Sequence, residues 1–325
     1  MSRGYAELHC LSNFTFLRGA SHPEELVEQA DELGYRALAI TDECSVAGVV
    51  RAWQAARERS IDLIVGSEIR LADGMRCVLL ATDREGYGQL CALVARGRRR
   101  VEKGAYRLDS EDLGTGLDRC LALWLPGAVP REEELCLLRR CFPDRLWIAV
   151  ELFAAADDRR RLGCLEALGR RHGVPRVACG DVHMHRRGRR ALQDTLTAIR
   201  LGVPVGQAGR ALYPNGERHL RPLASLKAIY PPSVLESSLE IAGRCRFDPG
   251  ELRYEYPAEL VPEGHTPASW LRELTEQGIR RRWPGGVDDG VRAAIEHELE
   301  LIRDLSYEPF FLTVQDIVSF ARRHG

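Results

Sequence analysis

The sequence predicts an α/β protein, built on a parallel sheet or barrel, that passes into a mainly helical segment. Three observations carry this. Short apolar runs alternate with helical patterns through about residue 183, joined by short connections. Asp42, Glu43, Glu68, Asp181 and His183 each fall at the C-terminal end of such a run, where folds of this kind gather their ligands. From about Ala191 the strand-like runs thin out.

The chain opens on YAELHCLSNF, a strand end carrying His9 and followed by a polar turn at Ser12 and Asn13. Ser21-His22-Pro23-Glu24 predicts a helix start, with Ser21 as the cap, proline in the first turn and Glu24 three residues past the cap. The apolar face of that helix is Leu26, Val27, Ala30 and Leu33, and Gly34 ends it. Residues 35–41, YRALAIT, predict a buried strand, AGVVRAWQAARERS a helix, and IDLIVGSEI a strand with Glu68 near its end. Ala72-Asp73-Gly74 turns the chain into the strand MRCVLLAT, and a long helix follows from about Glu85 to Val101. CLALWLP, RLWIAVEL and VPRVACGDVH predict further strands, with PREEELCLLRRCF and DDRRRLGCLEALGRRHG as the intervening helices. Asp181 and His183, two apart, are expected on one face of the last strand. LQDTLTAIRLG and PPSVLESSLEIAGRC then predict helices, residues 253–267 a proline-rich extended connector, and ASWLRELTEQGIRRRW, VRAAIEHELELIRDL and FLTVQDIVSFARR a helical end.

Composition bounds the function. A length of 325 residues suggests about two domains, and 45% hydrophobic with 29% charged residues is ordinary for a globular protein. A formal net charge of −1 gives no global basic field to announce nucleic acid. The run Arg96, Arg98, Arg99, Arg100 and Lys103 is read as a solvated helix end suited to the helix dipole rather than as a phosphate contact. No signal peptide opens the chain, so the ten cysteines are expected to be reduced thiols in a cytoplasmic protein. No apolar run approaches the ~20 residues that cross a bilayer.

A carboxylate and an imidazole at 181 and 183, with a second imidazole from His9, is metal-site vocabulary. Any one of these residues taken singly is more often a solvated or hydrogen-bonded group than a ligand. Cys10, Cys44 and Cys179 lie beside these positions and are read as small buried hydrophobes.

Long collinear blocks make the reading specific. YAELHCLSNFTFLRGASHPEELVEQADELGYRALAITDECSVAGVV, YPNGERHLRPLASLKAIYPPSVLESSLEIAGRCRF, LRYEYPAELVPEGHTPASWLRELTEQGIRRRW and IEHELELIRDLSYEPFFLTVQDIVSFAR resemble the opening of the bacterial error-prone DNA polymerases, relatives of the polymerase III alpha subunit. The resemblance implies a PHP domain (polymerase and histidinol phosphatase), a distorted (β/α)7 barrel, over residues 1–250. Residues 251–325 would then be a linker and the beginning of the polymerase palm. The chain would stop inside a larger structure, short of the palm carboxylates and their magnesium, so it would not synthesise DNA alone. The implied partners are DNA and other replication and repair proteins, with the isolated chain a monomer and no membrane contact.

Active PHP domains hold up to three metal ions and hydrolyse phosphoesters, and this sequence departs from their motifs. In the first, His-x-His followed by an acid, His9 matches the first His, Leu11 stands for the second and Arg18 for the acid. The second, Thr-Asp-His, reads Thr41-Asp42-Glu43; Glu68 matches the next acid, and the last motif is intact as Asp181 and His183. Leu11 offers no lone pair, and Arg18 brings a permanent cation among Glu43, Glu68 and Asp181. The expectation is a degenerate, structural site in which Arg18 replaces metal charge. The alternatives are a single zinc or other divalent ion held by His9, Asp181, His183 and Glu68, and a stand-alone metal-dependent PHP phosphoesterase.

Overall fold

The computed structural model describes residues 4–253 and 260–324. The chain divides into two compact units, Met1–Leu252 and Arg253–Gly325.

The first unit follows the alternation read from the sequence. In chain order it runs β1 (Ala6–Glu7), α1 (Pro23–Glu32), β2 (Ala37–Ile40), α2 (Val49–Arg57), β3 (Asp62–Arg70), β4 (Arg76–Ala81) and α3 (Arg84–Arg99). It continues with β5 (Cys120–Trp124), α4 (Glu132–Cys141), β6 (Leu146–Glu151), α5 (Asp158–His172), β7 (Arg176–Cys179), α6 (Arg190–Leu201), α7 (Leu223–Ile229) and α8 (Pro232–Arg244). The seven strands form one sheet in sequential order. The residues just past β1 and β7 bring its edges together: Leu11 N donates to Val182 O at 2.8 Å and Val182 N to His9 O at 2.9 Å. The result is a nearly closed barrel.

The expected parallel sheet is corrected at one strand. β4 runs antiparallel to both β3 and β5, because the short Ala72-Asp73-Gly74 turn can join only antiparallel neighbours, a parallel crossover needing a dozen or more residues. Two smaller readings also shift. The cap of α1 is His22, closing a capping box with Glu25, one residue beyond the expected Ser21 and Glu24. β7 stops at Cys179, and Asp181 lies beyond it in the left-handed region at φ 42°, so Asp181 and His183 do not share a strand face.

Alternation along the strands builds two cores. Ala6, Leu8, Ala39, Ile64, Val78, Leu121, Trp147, Ala149 and Val177 fill the barrel interior, joined by Ile241 of α8. The intervening residues, among them Leu38, Leu79, Ala122, Ile148 and Val150, pack outward against the helices. Ala6, Ala39 and Ala149 alternate with larger residues such as Leu121 and Trp147, which lets the side chains fill the narrow interior. The inward register of β3, β4 and β6 continues from Ile64 to Glu68, from Val78 back to Arg76 and from Ala149 to Glu151, so one mouth of the barrel is lined by charge.

The second unit holds α9 (Pro267–Arg282), α10 (Asp289–Asp304) and α11 (Glu308–His324). Thr266 caps α9, and Arg272 pairs with both oxygens of Glu296 at 2.9 and 2.7 Å. Its core is Leu271, Ile302 and Leu312 with Trp270, Leu274 and Leu299 against them. Of the connector read at 253–267, residues 254–259 lie outside the described residues.

Candidate functional site

His9 reaches the mouth through a slip in β-alternation. Leu8 belongs to the inner core and Cys10 to the outer one, so the period of two breaks between them and His9 also turns inward. The buried carboxylate of Glu7 holds the break, accepting from the backbone N–H groups of Leu8, His9 and Gly180 at 3.1, 3.1 and 2.9 Å. The fully buried imidazole then lies between two acids: Nδ1 is 2.7 Å from Glu151 and Nε2 is 3.0 Å from Glu68. Asp181 is further off, 3.8 Å from Nε2.

Burial pushes His9 down, but the hydrogen bonds to Glu151 and Glu68 outweigh it and hold it up at about 8. Burial likewise pushes Glu68 up, and the His9 hydrogen bond with the Arg18 guanidinium brings it well below the ordinary carboxylate value; Glu151 is lowered too, against its burial, by His9. Both ring nitrogens facing carboxylates requires both to donate, which only the imidazolium does.

Three guanidinia meet the same carboxylates. Arg18, delivered by the loop between β1 and α1, is ion-paired to Glu43 and lies 3.3 Å from Glu68. Arg76, first residue of the antiparallel β4 and therefore at the same end as Glu68, is 3.7 Å from it. Arg218 is ion-paired to Asp181, its guanidinium stacked over Phe153 and Tyr213 at 3.9 and 4.1 Å. Burial lowers Arg218 to about 10, which leaves it charged at neutral pH. His183 Nε2 is 2.9 Å from Asp181, while its buried Nδ1 has no protein partner. Burial, with Arg18 nearby, pushes His183 well below the ordinary value, so it is neutral.

The structure thus brings His9, Arg18, Glu43, Glu68, Asp181 and His183 into one pocket, with two corrections. Arg18 does not reach all three expected acids; it takes Glu43 and Glu68, and Asp181 is taken by Arg218 instead. Asp42 turns away, accepting from Ser12 N, Ser12 Oγ and Thr15 Oγ at 2.8, 2.7 and 2.6 Å to hold the loop that carries Arg18. Sequence reasoning missed Glu151, Arg76, Arg218 and Glu7. Glu151 was findable, since it ends a strand as Glu68 does; Arg218 had no local signal, lying in a turn 37 residues beyond Asp181. The basic run at the end of α3 is more engaged than expected, because Arg98 donates to the carbonyls of Cys44 and Glu43 at 3.2 and 3.3 Å and braces the loop under Glu43.

The donor set can be tested against a metal. His9, Glu151 and Asp181 are buried with ligand atoms within 4.8 Å of one another, and this group could hold one ion. A cluster of two or three does not fit. Four cations, Arg18, Arg76, Arg218 and protonated His9, already face four carboxylates, Glu43, Glu68, Glu151 and Asp181, and the half-exposed Arg70 adds a fifth charge 3.9 Å from Glu43. Further ions would add uncompensated charge in a buried site, and Leu11 is fully buried with no atom to bind them. A cleft of about 490 Å³ opens beside Arg76, Glu151, Phe153 and Arg218.

Fold and site together define a PHP-domain protein: residues 7–129 match the PHP domain family, and residues 269–325 match the bacterial DNA polymerase III alpha NTPase domain. Over almost its whole length the chain is similar to curated error-prone DNA polymerases. It is 63% identical over 321 residues to that of Pseudomonas paraeruginosa, covering 98% of this chain and 31% of the relative. It is 62% identical over 322 residues to that of Methylococcus capsulatus, covering 99% and 31%. The chain carries a PHP domain, aligns along almost its whole length with these error-prone DNA polymerases and spans about a third of their length. Among solved structures it is similar to a lesion-specific endonuclease from Pyrococcus furiosus at 14% identity, covering 55% of this chain and 48% of that one with a TM-score of 0.41. No described helix is long and apolar enough to cross a membrane.

Proposed function

We propose that this chain is the PHP-bearing part of a cytoplasmic DNA polymerase used in damage tolerance, and that its barrel mouth is a structural lock rather than a hydrolytic centre. Residues 1–250 are the PHP module and 251–325 the linker and start of the palm. DNA synthesis, its magnesium ions and the contacts with DNA and other repair proteins are assigned to the complete polymerase. The chain alone is a monomer without catalytic residues. The observation that supports the lock is that every one of the four carboxylates is already faced by a cation, with guanidinia on Glu43, Glu68 and Asp181 and His9 on Glu151. A hydrolytic PHP site needs its ions and a water activated by them, and the arginines occupy the oxygens that would bind those ions.

Elemental analysis of the purified protein tests this. The expected result is less than one equivalent of metal and no hydrolysis of p-nitrophenyl phosphate with zinc or manganese. Two or three bound equivalents would overturn it. One equivalent favours the second reading, a lone zinc on His9, Glu151 and Asp181, for which His9 must give up its proton and Arg218 must leave Asp181. The double variant Leu11→His, Arg18→Asp restores the family's donors and is expected to raise metal affinity; unchanged affinity counts against the account of Arg18.

A further inference from the structure

A second constellation of reactive side chains lies in the outer helical layer, between α4 and α5. Glu132 and Cys136 stand four apart on α4 and so share a face. His172, the last residue of α5, sits between them: Nδ1 is 3.9 Å from Cys136 Sγ and Nε2 is 2.6 Å from Glu132 Oε1. A thiol, an imidazole and a carboxylate in line, each within reach of the next, is the geometry of an activated nucleophile. The acid fixes the tautomer. With its Nε2–H donated to Glu132, neutral His172 presents the Nδ1 lone pair to the thiol. Glu132 also receives Arg171 at 3.1 Å, which keeps it ionised. None of this serves the barrel core, since all three side chains are partly open to solvent. Among the described cysteines, Cys136 is the one whose sulfur is hydrogen-bonded to an imidazole.

We propose that Cys136 is a modification site, a nucleophilic thiol that forms mixed disulfides with low-molecular-weight disulfides. In the step, His172 Nδ1 takes the Cys136 S–H proton and the thiolate attacks one sulfur of R–S–S–R. A bond forms between Cys136 Sγ and that sulfur, the R–S–S–R bond breaks, and the departing thiolate takes the proton from His172 and leaves as R–SH. Cys136 is oxidised and one half of the small disulfide is reduced. The thiolate is the reacting form, and His172, held by Glu132 with its Nδ1 3.9 Å from the sulfur, is placed to take the thiol proton.

The test is a time course of the full chain with oxidised glutathione at pH 7, quenched in acid and mapped by mass spectrometry. Cys164, exposed on α5, is the internal standard. Cys136 is expected to react at least about tenfold faster than Cys164 and to fall to its rate in His172→Gln. Should His172→Gln fail to fold, Glu132→Gln, on a partly exposed side chain, gives the same readout and is expected to slow Cys136 while leaving Cys164 unchanged. A Cys136 rate no higher than that of Cys164, or one that survives the substitutions, overturns the proposal.

Discussion

His9 shows at a single residue how the pocket sets its own charge. It satisfies Glu68 and Glu151 only as a cation, and its value of about 8 lies above the ordinary 6.5. Its contribution to stability is therefore complete below about pH 6.5 and is lost as pH rises through about 8. Glu68 and Glu151 are depressed below 4.5, so their contribution is complete above that value and is lost as pH falls. Urea unfolding at pH 6 and pH 9 should show lower stability at the higher pH, and His9→Gln should remove most of that difference. At pH 6 the same variant is expected to cost about 3–5 kcal/mol, the range for breaking one partner out of a buried pair. A pH 6 to 9 difference that persists undiminished in His9→Gln would count against the imidazolium.

The loop between β1 and α1 is the element that carries Arg18 to Glu43 and Glu68. It closes on itself through Asp42 and passes so near Ser12 at Gly19 that an added Cβ would lie 1.9 Å from the Ser12 carbonyl oxygen. Backbone cannot yield as a flexible side chain does, so Gly19→Ala must open the loop and draw Arg18 away from Glu43 and Glu68. Denaturation is expected to show a loss of about 1–3 kcal/mol, in the range for overpacking. Because the variant uncovers two carboxylates, it should also bind manganese more tightly than the unaltered chain by calorimetry. Loss of stability without a gain in metal affinity would mean that Arg18 stays in place and that the loop is not its positioning device. The β3–β4 hairpin contributes a second positioning effect, since its reversed strand puts Arg76 at the acidic mouth.

At the scale of the whole molecule the two units differ in what holds them. The barrel has two continuous cores, whereas the second unit rests on Leu271, Ile302 and Leu312 and leaves Phe311, Ile317 and Phe320 exposed. Fewer buried contacts mean a lower opening free energy, so residues 260–324 should unfold at lower denaturant than the barrel. Hydrogen exchange followed by mass spectrometry would show this as early exchange in α9 to α11; equal protection in both units would refute it. The sequence by itself determined the succession of strands and helices, the placing of His9, Glu43, Glu68 and Asp181 near strand ends, the absence of a donor atom at Leu11 and the permanent charge of Arg18. These are local or motif properties, carried by residue type, spacing and a resemblance that spans the chain. Only the tertiary structure decided which cation meets which carboxylate. Arg76 depends on a strand running backwards, Arg218 on a turn far from Asp181 in sequence, and Cys136 with His172 on two helices packed side by side. Ion pairing and proton transfer depend on separations of a few ångströms between distant segments, which only the folded chain fixes.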